Sequence, residues 1–182
     1  RRALERIAVV ACGGIGVGVL GLAGLSGRFS SVLLDIAGES TFVAFILAML
    51  ISIILGMGMP TTAAYAVAAS VIAPGIAALG VEPLTAHFFI FYFAVMSAIT
   101  PPVALAAYAG AALAGSNPLK TSVESFRIGL AAYIVPYMFF YSEALLMRGS
   151  WIEIAHVAVT ATAGVYLLSC AVQGYMFRSA TM

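Results

Sequence analysis

Two stretches of the chain carry residue types from which an ion or anion site could be built. Gly56-Met57-Gly58-Met59-Pro60-Thr61-Thr62 and Ser97-Ala98-Ile99-Thr100-Pro101-Pro102 each interrupt an apolar run. Proline has no backbone donor and breaks the helix ladder, so carbonyls near Pro60 and Pro101-Pro102 lose intrahelical partners. Thr61, Thr62 and Thr100 add hydroxyl oxygens at the same places. Neutral oxygens gathered at an unwound helix suit a hard monovalent cation such as Na+. The N-terminus of a half-helix after a break also offers free N–H groups and a positive dipole end, which favour a carboxylate. No Asp or Glu lies near either break. A carboxylate proton relay is therefore missing, which favours Na+ over a proton. The candidate ion- and substrate-binding residues are Gly56, Gly58, Pro60, Thr61, Thr62, Ser97, Thr100, Pro101 and Pro102. Thr61, Thr62 and Thr100 are the candidate Na+ ligands, with nearby backbone carbonyls.

The elements holding these residues must sit in lipid. Of 182 residues, 63% are hydrophobic and 8% charged, against about a quarter charged in a soluble domain. A net charge of +1 argues neither for nor against an anionic partner, and no nucleic acid is expected. A helix needs about 20 apolar residues to cross the hydrocarbon. Ile7–Leu25, Val123–Met147 and Trp151–Phe177 meet that simply. Thr41–Leu55 would make a helix of only about 22 Å. It meets the first break, and Ala63–Leu79 follows. Thr85–Ser97 is also short, meets the second break and resumes at Val103–Ala114. Two units of like design thus lie side by side. Irregular backbone at membrane depth is tolerated only where protein, water or an ion satisfies it.

The remaining features read more plainly. Gly27–Ser40 is expected to be a loop or a short interfacial helix, and Gly115–Lys120 a polar connector. Cys12 and Cys170 read as small buried hydrophobes, and Pro74 and Pro136 as kinks. His87 reads as a hydrogen-bonded interfacial histidine, and Glu143 could pair with Arg148. Tyr65 and Tyr108 follow the two breaks at similar offsets and could line a cavity. Gly24-Leu25-Ser26-Gly27 fits the string of rhomboid-type intramembrane serine proteases, but neither His87 nor His156 has the partner pattern a general base needs. Gly16–Gly21 spells a dinucleotide-loop string without the strand or acidic residue that motif requires. Arg1, Arg2, Arg6, Lys120, Arg127 and Arg178 can lie on one side, leaving Arg28 and Arg148 on the other. The side with more basic residues is assigned to the cytoplasm. Charge does not decide which of the two interrupted units is a re-entrant hairpin and which a broken crossing.

The stretches Leu55–Tyr65 and Phe91–Tyr108, continued by Glu124–Leu130 and Ile134–Tyr137, resemble the large membrane subunit of TRAP transporters, the tripartite ATP-independent periplasmic transporters. The wording is closest to the fused-permease type that partners TAXI-class binding proteins. The resemblance implies an all-α polytopic membrane protein, the second half of an inverted-repeat elevator transporter. It implies a membrane span over 7–25, a re-entrant hairpin over 41–79, a broken helix over 85–114, a span over 123–147 and an extra C-terminal span over 151–177. It also implies Na+-coupled import of small organic acids delivered by a periplasmic substrate-binding protein. A small membrane subunit or its fused equivalent would be a partner. The setting would be a bacterial or archaeal cytoplasmic (inner) membrane. No enzymatic activity and no organic cofactor are expected. The chain reads as an excerpt whose other repeat lies upstream. The alternatives are the rhomboid-type protease and a non-transporting assembly subunit.

Overall fold

The computed structural model describes residues 2–37, 40–176 and 178–179. The chain forms two compact units, Arg1–Leu105 and Ala106–Met182, and is helical almost throughout. The boundary at Leu105 follows directly on the second break.

The first unit contains α1 (Arg2–Leu22), α2 (Leu25–Ala37), α3 (Thr41–Gly56), α4 (Thr61–Ala78) and α5 (Pro83–Met96), with a 3-10 turn at Ser97–Ile99. Helix α4 is central and packs against the other four. After the turn at Met57–Pro60 it returns along α3, so the two form a helical hairpin. Gly80, at φ +78°, ends the excursion from α4. The Glu82 carboxylate then caps α5 by accepting from Thr85 N–H at 3.0 Å, with Pro83 in the first turn. Proline is tolerated there because that N–H has no helical partner. The core lies among α3, α4 and α5. Phe45 meets Phe89 edge-on at 4.5 Å, and Phe89 meets Phe93 at 4.8 Å. Val71, Ile72, Ile76 and Ile90 fill the rest. Between lipid-exposed helices close packing, rather than escape from water, drives association, and small residues permit it. Gly75 shows this: a Cβ there would lie 3.2 Å from Ser30 Cα on α2.

In the second unit, α6 (Leu105–Ala114) precedes α7 (Pro118–Gly129), a 3-10 stretch (Leu130–Ile134), α8 (Val135–Tyr141), a further 3-10 turn (Glu143–Leu146) and α9 (Trp151–Gln173). Among the described residues, Thr61–Ala78, Pro118–Tyr141 and Trp151–Gln173 are long and apolar enough to cross a membrane. A fourth span is formed if Gly14–Leu22 and Gly27–Ile36, bent by 71°, count together.

Several element boundaries differ from the sequence reading. Of the two readings left open for Gly27–Ser40, the helix is the one found: α2 runs to Ala37 and packs on α4 despite Gly27, Ser30 and Ser31. The connector Gly115–Lys120 already contains the start of α7. The Asn117 side-chain Oδ1 accepts from Lys120 N–H at 3.1 Å, and Pro118 follows as the first helical residue. The apolar run 123–147 is not one uninterrupted helix: it passes through the 3-10 stretch, and Ser142 is extended at φ −146°. Pro136 therefore sits in the first turn of α8 and is no mid-helix kink, whereas Pro74 lies inside α4. Helix α9 stops before Phe177 because Gly174 takes a left-handed conformation, φ +66°. A minimal antiparallel pairing of Tyr175 with Ser179 and Met176 with Arg178 follows. Phe177 itself lies outside the described residues.

Candidate functional site

Both breaks follow from the same local chemistry. Pro60 withholds an N–H from Gly56 C=O, four residues back, and Met59 N–H donates to it instead at 3.4 Å. Pro101 does the same to Ser97 C=O, and Thr100 N–H donates to it at 3.2 Å. Each segment thus tightens by one residue before it breaks. Gly58 turns the first break at φ +79°, a conformation glycine reaches without steric cost. In the second, the Pro101-Pro102 bond is cis and Ala104 stands at φ +24°. A non-glycine residue there is uncommon and marks a conformation imposed by its surroundings.

The two breaks meet. A Cβ on Gly56 would lie 2.5 Å from Ser97 Oγ, 2.9 Å from Ser97 Cβ and 3.3 Å from the Ala94 carbonyl oxygen. A Cβ on Gly58 would touch Val103 Cγ1 at 3.8 Å. The end of α3 and its turn therefore lie directly on the end of α5 and its turn.

Hydroxyl groups are arranged around this contact. Buried Ser97 donates to Ala94 C=O at 2.7 Å, and buried Thr100 donates to Met96 C=O at 2.7 Å. A hydroxyl that donates still carries lone pairs as an acceptor. Thr61 and Thr62 instead occupy the first turn of α4, exposed, with Pro60 preceding them. The first turn of a helix has N–H groups without intrahelical partners, and here the Thr61, Thr62 and Ala63 N–H groups face the break. On the side of Pro60, Met59, Ala63 and Val67 line an apolar cavity of about 340 Å³ with Ala8, Cys12 and Gly16 of α1. Among the described residues no cluster of His, Cys, Asp or Glu is placed to hold a metal ion.

Of the residues singled out from sequence, the structure brings Gly56 against Ser97 and sets Gly58 beside the second break. Thr100 is buried and Thr61 and Thr62 are exposed, so the three hydroxyls do not share one environment. Val103, Ala104 and the buried Ser52 of α3 were not anticipated. Val103 and Ser52 carry no local signal that separates them from ordinary helix residues. Tyr65 and His87 were noted apart but are partners: the Tyr65 hydroxyl and His87 Nδ1 lie 2.9 Å apart. Phe91 stacks edge-on to Tyr65 at 5.5 Å. Glu143 and Arg148 do approach, at 4.0 Å, on an exposed surface.

Searches of curated proteins and of solved structures returned no match. A family model does match, and its match ends within the first turn of α9, so the rest of that helix lies beyond it. Residues 2–154 match the family described as tripartite ATP-independent periplasmic transporter, DctM component, and the chain belongs to that family of transporter permeases.

Proposed function

We propose that this chain is the C-terminal repeat of a Na+-coupled permease for small organic acids, fed by a soluble periplasmic binding protein. The observation that carries the proposal is the meeting of the two breaks at Gly56 and Ser97. Two helix ends whose ladders are opened by proline face each other there, with buried Thr100 alongside. Carbonyls at the end of α3 and around Ala98–Thr100, with the Thr100 hydroxyl, would replace part of the hydration shell of Na+. The N–H groups at the start of α4, with the Thr61 and Thr62 hydroxyls, would receive the substrate carboxylate. Ion and anion would thus be bound on adjoining ends of the same contact, so that each favours the other.

In this reading α3 and α4 form a re-entrant hairpin entering from the periplasmic side, and α5 with α6 a broken crossing. The basic ends would lie in the cytoplasm, and the membrane would be the bacterial or archaeal inner membrane. A small membrane subunit, or its fused equivalent, and a TAXI-class binding protein would complete the system. No Arg or Lys lies near either break, so a salt bridge to substrate would come from the other repeat.

The test is uptake by the complete permease in proteoliposomes with its binding protein. Uptake should require an inward Na+ gradient. Full uptake with K+ or choline replacing Na+ would refute the coupling. Uptake independent of any binding protein would refute the delivery.

A further inference from the structure

Pro60, Ala63 and Val67 follow one another at spacings of three and four residues, so they share one face at the start of α4. Ala8, Cys12 and Gly16 do the same on α1, which packs on α4. These two faces border the cavity of about 340 Å³, the size of the smaller ligand pockets. They do not close on each other. Among the described residues, a Cβ on Gly16 would meet nothing within 4 Å.

The cavity begins at the first break. Ala63 belongs both to the first turn of α4, with its open N–H groups, and to the cavity wall. Val67 lies one turn further along that wall, about 6 Å. A carboxylate received by the first turn would thus have its remaining atoms beside this space. The apolar grooves along α9 adjoin neither break. The walls decide what the body of such an acid can be. Among the described residues lining the cavity, the Cys12 thiol and the Met59 thioether are the only polar side-chain groups, and both hydrogen-bond weakly. A hydroxyl, an ammonium or a second carboxylate carried there would lose water without gaining a partner. A methylene carried there gains by leaving water.

We infer that the permease takes apolar monocarboxylates, with the carboxylate at the start of α4 and a short alkyl chain or single ring in the cavity between α4 and α1. The inference rests on the carboxylate reading proposed above. It adds the substrate class to that reading and sets dicarboxylates and hydroxylated acids apart as poor substrates.

The experiment follows thermal stabilisation of the complete permease in detergent, in NaCl and in choline chloride. The probes are acetate, butanoate, hexanoate, decanoate, succinate and gluconate. The midpoint concentration should fall about fourfold per added methylene up to hexanoate, and level off before decanoate, where the cavity is full. Succinate and gluconate should bind at least tenfold more weakly than hexanoate. Gly16→Leu places a side chain in the open space and should flatten the series, weakening hexanoate at least tenfold and acetate much less. Loss of folding would not produce that split. A flat series in the wild type, or tighter binding of succinate or gluconate, would overturn the inference while Na+-dependent carboxylate binding still stood. So would a gain that continues through decanoate and is unaltered by Gly16→Leu, which is partition into detergent or lipid. The expected series without any Na+ dependence would uphold the cavity and refute the coupling. No stabilisation by any carboxylate would remove the carboxylate reading and the inference together.

Discussion

Gly56 and Ser97 each stand four residues before a break-forming proline, and they meet where the two breaks touch. A Cβ at Gly56 would sit 2.5 Å from Ser97 Oγ. The carbonyl that each proline deprives of its ladder donor thus belongs to a residue at the contact. Proline chemistry and close packing act on the same pair: one opens the backbone and the other brings the opened ends together. A site at this place would be held by α3 and α5, whose shared core of Phe45, Phe89 and Phe93 is buried.

Gly56→Ala should therefore damage the permease more than an alanine on an ordinary helix. Relief of the overlap requires α3 and α5 to separate, costing about 1–3 kcal/mol. On the proposed function, Na+-dependent uptake should fall by at least tenfold. Ser97→Gly removes both the Oγ and the Cβ that the added methyl would meet, leaving the Ala94 carbonyl at 3.3 Å. Stability of the double variant should accordingly exceed that of Gly56→Ala alone, a non-additivity expected of residues in contact. Thermal melts of the wild type, the two single variants and the double variant check this; additive losses would show that the two positions do not meet.

Gly58 makes a separate prediction, because its constraint is conformational. The nearest atom to a Cβ there is Val103 Cγ1 at an ordinary 3.8 Å, yet φ is +79°. Gly58→Ala should cost about 1–2 kcal/mol through the left-handed backbone alone. Gly58→Asn should cost less, since Asn tolerates that region. Equal melting temperatures for the Ala and Asn variants would contradict the assignment of the cost to backbone conformation.

The apolar runs and the positions of their interruptions were legible in the sequence because proline and glycine act locally. Pro60 and Pro101 break their ladders whatever surrounds them. The meeting of Gly56 with Ser97 was not legible, since it joins residues far apart in the chain and leaves no mark on either neighbourhood. Ser52 was hidden for the same reason: a serine in an apolar run looks the same whether or not its hydroxyl has a partner. Other misreadings were of signals that were present. Asn117-Pro118 is a capping residue followed by a first-turn proline, yet in a polar stretch it read as connector. Gly174 marks a helix end in the usual way, but the apolar residues beyond it suggested continuation. Helix α2 was left open between loop and short helix because of its glycine and serines, and its packing against α4 at Ser30 and Gly75 overrides their weak propensity.

Thr100→Val isolates the hydroxyl with little change of shape. The hydroxyl donates to Met96 C=O at 2.7 Å, while Thr100 N–H is used by Ser97 C=O. The side chain thus replaces a ladder bond that the approach to Pro101 has displaced. Removing it should destabilise by about 1 kcal/mol and, on the proposed function, raise the Na+ concentration for half-maximal uptake. Thr100→Ser retains the donor and should restore both. A wild-type Na+ dependence in Thr100→Val would remove this hydroxyl from the ion site.

The Tyr65–His87 pair joins α4 to α5. Tyr65 lies one turn after Thr61, so the pair fixes α4 near its functional end. The hydroxyl and Nδ1 are 2.9 Å apart, and Phe91 packs on the Tyr65 ring. Tyr65→Phe keeps the ring contact and loses the hydrogen bond, which should cost about 0.5–1.5 kcal/mol at most given its partial exposure. His87→Ala should cost a similar amount, and the double variant no more than the larger single loss, since both remove one bond. Transport is the more informative readout. On the proposed function, a pair that only anchors α4 should leave the Na+ midpoint unchanged and lower the rate, because its loss lets α4 and α5 move less as one piece. A shifted Na+ midpoint in Tyr65→Phe would instead place the pair within the ion site and contradict this anchoring role.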